Sequence, residues 1–317
     1  MKIKDIYAHV IAEGIAKDPR KPEGVKEALG RVKEKYEALK EDEQKEFDLE
    51  TLTNPYSDTR ILYGDPETEV KRLLVGVDIE VGEVMLADRL SDKGKAIDLI
   101  MAHHPEGKAF TALHEVMHLQ EDILAHFGVP INVAEGIMAS RISEVKRGLM
   151  PINHNRAIDA AKLLGIPMIC THTVADNQVT TYLQEIFDRE KPRTLGDIVK
   201  RLKEIPEYAE AVKHGAGPDI VLGSKELRAG KVMVDMTGGT GGSEKAYANL
   251  SQAGVGTIVG MHISDKHRKE AEKSHVNVVI AGHIASDSIG MNMLLDGIEK
   301  QGVEIITCSG LIRHKRS

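Results

Sequence analysis

From Arg72 onward, short apolar runs rich in β-branched residues alternate with amphipathic segments. Seven runs stand out: RLLVGVDI, AIDLIMAH, IPMICTH, KVMVDMTGG, GTIVGMHI, NVVIAGH and VEIITCSG. Strands covered on both faces read as near-continuous apolar stretches, and helices between them supply the crossovers of parallel sheets. The pattern predicts an α/β fold with mixed, mostly parallel sheets, split near residue 190 into two lobes. Two long segments interrupt the alternation, Glu106–Asn153 and Asn177–Gly217, and Ile220–Ala229 reads as a short hinge-like piece.

Upstream the period changes. Ile6–Ala16 and Gly24–Phe47 carry helical patterns, the second with many Glu/Lys pairs at i,i+4, so residues 1–54 read as a solvated helical extension. Thr51–Pro66 is turn-rich and marks the entrance to the first lobe. The domain plan is an extension over 1–54, a first lobe over 55–190 with a helical insertion at about 107–153, and a second lobe over 191–317.

Ligands in open α/β sheets bind beyond the carboxyl ends of the strands. Several of the apolar runs end there on a polar or small residue: Asp78, His103, His172, Gly238, His262 and His283. His103-His104-Pro105 closes one run, and the proline restricts the residue before it so that both imidazoles can turn toward one cleft. His172 is followed at i+4 by Asp176, and His283 at i+4 by Asp287. Such pairs suit a divalent ion, while each aspartate could instead cap the helix that follows. Together these strand ends offer more nitrogen and oxygen donors than one tetrahedral zinc needs, enough for two bridged ions.

Two other motifs compete for attention. Met236–Glu244 is a glycine-rich turn between a strand and a helix that fits neither nucleotide fingerprint, leaving anion contact or tight packing. His114-Glu115-Val116-Met117-His118 is a literal H-E-x-x-H, the zincin pattern that places two histidines on one helical turn with a glutamate as general base. The longer metzincin continuation is missing, so a surface helix is the competing reading.

Composition narrows the class. The chain has 42 Lys+Arg against 49 Asp+Glu, no basic block, no Trp and 3% aromatic residues, which disfavours nucleic-acid binding. Cys170 and Cys308 cannot make a disulfide framework and read as reduced thiols. The N-terminus lacks an uninterrupted apolar stretch, and nothing later approaches 18 apolar residues, so no membrane contact and a cytoplasmic address are expected. The 14 histidines are the unusual feature.

In collinear order, Asp58–Pro66 with the run to Asp78, AIDLIMAHHP, THTVADN, TLGDIVKRLKEI, MTGGTGGSEKA and AGHIASD resemble the dinuclear-metal proteins of the NGG-interacting factor three family, also described as type-two-like GTP cyclohydrolase I. The resemblance covers approximately residues 55–106 and 154–310. It implies two lobes facing a cleft and a homo-oligomer, commonly a hexamer built as a trimer of dimers. It assigns His103, His104, Asp176, His283 and Asp287 to two divalent ions (Zn, Mn, Fe or Ni), with His172 and Asp78 beside them. Met261-His262 could add a nitrogen ligand or line the cleft. The function expected is metal-dependent hydrolysis of a small, possibly nucleotide or phosphorylated, substrate through a metal-bridging water. The alternatives are a metal-holding or regulatory scaffold without catalysis, and an H-E-x-x-H zinc protease.

Overall fold

The apolar runs all become strands in the computed structural model, which describes residues 1–316. With two additional edge strands there are nine: β1 (Thr59–Tyr63), β2 (Arg72–Gly76), β3 (Leu99–Ala102), β4 (Met168–Thr171), β5 (Asp219–Leu222), β6 (Lys231–Asp235), β7 (Val255–Gly260), β8 (Asn277–Ile280) and β9 (Glu304–Cys308). One sheet has the order β1-β4-β3-β2-β9 and the other β5-β8-β7-β6. Only β1 and β5 run antiparallel to their neighbours. The remaining pairings are parallel, as crossover helices require. The fold is therefore α/β with two mixed, mostly parallel sheets.

The two strands without an apolar signature are the antiparallel edges. β1 contains Arg60, which is 1% exposed because Asp48, Glu50 and the Ser57 carbonyl satisfy its guanidinium. A buried arginine breaks the expected pattern. β5 is partly exposed at every position and overlaps the piece read as a hinge, so that segment starts as sheet and not as linker. β9 returns from the far end of the chain to pair with β2 in the first sheet.

Burial overturns the solvated reading of the first helix. Ile3–Ala16 buries Ile3, Ile6 and Val10, and the Gly14 carbonyl accepts from Asn177 Nδ2 at 3.2 Å. A side chain at Gly14 would strike Val174, so the helix lies directly on the scaffold. The second predicted helix divides into Lys21–Glu37 and Glu41–Glu46, and of these residues only Val25 is buried. That part matches a charged, solvated element.

The segment between β3 and helix Arg156–Leu164 holds four helices: Gly107–Thr111, Leu113–Val116, Leu119–Phe127 and Ile131–Leu149. It reaches across to the second sheet. Gln120 Nε2 donates to the Gly238 and Thr240 carbonyls at 2.7 and 2.6 Å, and Arg141 Nε donates to the Gly241 carbonyl at 3.0 Å. Among the described residues no helix is long and apolar enough to cross a membrane.

Candidate metal centre

Four backbone devices aim the histidines and aspartates at one point. Past the end of β3, His103 N and His104 N donate to the Gly76 and Val77 carbonyls, extending the parallel ladder until Pro105 stops it. His172 occupies the residue before helix Thr173–Glu190, which puts Asp176 in the first turn. Gly282, at φ +114, turns the chain into helix His283–Glu299, and a side chain there would strike the Ala216 carbonyl. Those two helices then cross where Gly290 meets the Ala175 carbonyl, an approach that any Cβ would block. Asp176 and Asp287 are brought together by that crossing.

The resulting set is compact. His103 Nε2 lies 3.5 Å from Asp176 Oδ1 and 3.5 Å from Asp287 Oδ1. The other Asp287 oxygen, Oδ2, lies 3.5 Å from His104 Nε2 and 3.6 Å from His283 Nε2. His172 Nε2 stands 3.7 Å from Asp176 Oδ2. Three overlapping groups could hold an ion: His103, Asp176 and Asp287; His104, His283 and Asp287; and His103, His104 and His172. Asp287 belongs to two of them and presents one oxygen to each.

These separations are too long for good hydrogen bonds, and His103 Nε2, Asp176 Oδ1 and both Asp287 oxygens are buried without a hydrogen-bond partner. Leaving such groups unsatisfied costs roughly 1–3 kcal/mol each, more for charges. Donors about 2.0–2.1 Å from a tetrahedral ion lie about 3.3 Å from one another, close to the spacing seen here. Buried charges are paired or coordinate metals. The donor set, all imidazole and carboxylate, fits a borderline divalent ion, so these residues could hold a metal.

The electrostatics are those of acids and imidazoles crowded together in a buried pocket. Burial pushes the Asp176 carboxyl well above its ordinary range, and the Asp287 and Asp58 carboxylates add to that. Burial opposes charge at Asp287 too, but His103, His104 and His283 outweigh it and hold that carboxyl far below its usual range. His103 is pushed down by burial against the pull of Asp287. His104 is desolvated as well, yet Asp287 and Asp78 raise its pKa to about 9.

Asp78 and His172 take different positions from one another. Asp78 Oδ1 contacts His104 Nδ1 at 2.6 Å and fixes that ring from outside. His172 is in the cluster itself. Its Nδ1 meets Asp58 Oδ2 at 2.9 Å, and Thr173 Oγ1 donates to the same oxygen at 2.7 Å. Asp58, fully buried, is a residue that local pattern did not single out. Neither Asp176 nor Asp287 caps a helix: both helices lack a side-chain cap bond, and Asp176 sits inside the first turn of its helix while Asp287 lies just beyond the first turn of the other.

His262 lies outside the three groups and packs edge-on against His283 at 5.0 Å between ring centres, lining the cleft. The glycine-rich turn is a packing device. Gly238 and Gly239 adopt φ +91 and +87, and side chains there would meet Gln120 and Val116. The H-E-x-x-H is not a zincin helix. His114 lies in helix Leu113–Val116, whereas His118 lies in the turn before helix Leu119–Phe127, and neither histidine joins a potential ligand group among the described residues. His114 instead meets the Thr111 carbonyl and His118 meets Glu121, each at 3.0 Å.

No family model matches the chain, and no curated protein does. Solved structures do. A NIF3 superfamily protein from Sphaerobacter thermophilus is 26% identical, with a TM-score of 0.70 over 80% of this chain and 92% of that one. Reduced HcgD from Methanocaldococcus jannaschii is 15% identical, with a TM-score of 0.48 and coverage of 84% and 94%. A Bacillus cereus protein related to NIF3 is 12% identical, with a TM-score of 0.41 and coverage of 82% and 92%. The shared architecture and identity with the first of these, together with the collinear His and Asp motifs brought to one cleft, show that this chain is similar to NIF3 superfamily proteins.

Proposed function

We propose that the chain is a metal-dependent hydrolase of a small molecule, with two divalent ions held by His103, Asp176 and Asp287 on one side and by His104, His283 and Asp287 on the other. The observation that carries this reading is Asp287, whose two unpartnered oxygens face the two donor sets. Ions bound there would supply Lewis acidity toward water and toward the bond under attack.

The chain's own residues do the rest. Asp58 holds His172 by Nδ1, which leaves Nε2 directed at the cluster, where it can hold or pass a proton. Asp78 holds His104 in the same manner. The cleft beside them, ≈ 670 Å³, has room for a drug-sized molecule and not for a folded macromolecule. Its walls come from both sheets and from the segment carrying Arg141.

The test is a hydrolysis screen of the metal-loaded chain on phosphoesters, nucleotides, amides and amidines, run beside His104→Ala. Turnover in the wild type that disappears in the variant supports the hydrolase. Equal background in both, with metal present in the wild type, supports a metal-holding scaffold.

A further inference from the structure

The cleft is a poor receptor for a polyanion. Seven carboxylates and two cationic side chains line it. Both cations are already engaged: Arg141 Nη1 lies 3.1 Å from Glu144 and Lys266 Nζ lies 2.8 Å from Glu244. Two divalent ions on the ligand cluster would offset much of this excess, but at the metal-binding side and not along the rest of the cleft wall. A substrate rich in phosphate would face carboxylates without free lysines or arginines to meet it, and like-charge juxtaposition is costly.

Opposite the cluster stands a different pair. β6 and β7 are adjacent and parallel, with Asp235 in register with Gly260, so Asp235 and His262, two residues past Gly260, lie near one another at the carboxyl end of this sheet. Asp235 is open to the cleft but surrounded by protein, and burial raises its pKa while His267 and His262 pull it down. None of its neighbours donates a hydrogen bond to this carboxylate or pairs with it. His262 is likewise exposed to the cleft and touches His283, which places this edge next to the ligand cluster.

We propose that Asp235 and His262 form the substrate-reading edge of the cleft, selecting a small molecule with a cationic or neutral group rich in N–H donors, of the amide or amidine class, over a polyphosphate. The inference rests on the reading of the cleft as a reaction site. A carboxylate accepts two parallel N–H bonds from an amidine-type fork, the geometry that makes such pairs both strong and selective. Asp235 has its acceptor positions free for that purpose, and a substrate held there is near His262, whose ring packs against His283.

Titration calorimetry on the metal-loaded full chain tests this with benzamidine and benzenesulfonate, which share a ring and differ in charge, neither being a good metal ligand. Benzamidine is expected to bind at least tenfold tighter. Asp235→Asn should cut that ratio at least fivefold, and Asp235→Glu should restore part of it, with metal content unchanged in both. Benzenesulfonate binding as tightly as benzamidine, or an unchanged ratio in Asp235→Asn, overturns the proposal. Elemental analysis of the same samples separates the failures: a wild type that takes up no metal sinks the reading of the centre, whereas a loaded chain without the charge preference sinks this one.

Discussion

Two regions of this molecule place histidines and acids about one helical turn apart in sequence, and only one of them gathers these into groups that could hold a metal. At the strand ends, His172 with Asp176 and His283 with Asp287 project from crossing helices toward His103 and His104, and His103 Nε2, Asp176 Oδ1 and both Asp287 oxygens find no hydrogen-bond partners. In the 114–118 segment the same residue types turn toward their own neighbours. His114 rests against Thr111 and Glu115, and His118 against Glu121. Spacing along the chain provides only local proximity. A metal site needs convergence between elements, and here Gly282 and Gly290 supply the close approaches that produce it.

That contrast can be broken or sharpened by substitution. The largest effect is expected for His103→Ala, which removes a fully buried donor from the centre of the cluster. Metal affinity and any metal-dependent turnover should fall by well over about 100-fold, because loss of even an outer partner costs roughly 10–100-fold. Asp58→Asn is such an outer change, and competition with a chromophoric chelator should show that roughly 10–100-fold loss with the fold intact. If Asp58→Asn binds metal like the wild type, His172 is not held in place by it.

Acidity should act in a defined direction. With His104 held at about 9 in the metal-free site, an incoming ion must displace its proton. Affinity should rise about tenfold per pH unit for each proton displaced up to pH 9 and flatten above it. An affinity independent of pH below 9 would contradict the role given to His104. Gly290→Ala should cost about 1–3 kcal/mol in denaturant unfolding, as overpacking does, and lower metal content by separating the two helices. The smallest effect is expected for Glu115→Gln, which should leave metal content and turnover unchanged. Loss of either would return the H-E-x-x-H to the mechanism.

Much of the site was legible because parallel strands end where ligands bind. His103, His104, His172 and His283 each follow an apolar run, and a histidine and an aspartate four apart need only a helix to share a face. Asp58 was not legible as a partner of His172, since 114 residues separate them and only the antiparallel pairing of β1 with β4 brings them together. Asp235 closes a strand by the same rule as the histidines, but the glycine-rich run after it carries the stronger local signal, and those glycines serve packing against Gln120. The first helix was not legible as buried because it was read together with the charged helix that follows it, whereas its own apolar residues at 3, 6 and 10 form a narrow stripe that is fully used.

The central claim is that Asp287 joins two ion sites. Elemental analysis of the purified chain after loading and desalting measures it directly. The account predicts about two equivalents of divalent metal per chain, almost none in Asp287→Ala, and full occupancy in His118→Ala. A single equivalent that survives in Asp287→Ala and is lost in His118→Ala would contradict it.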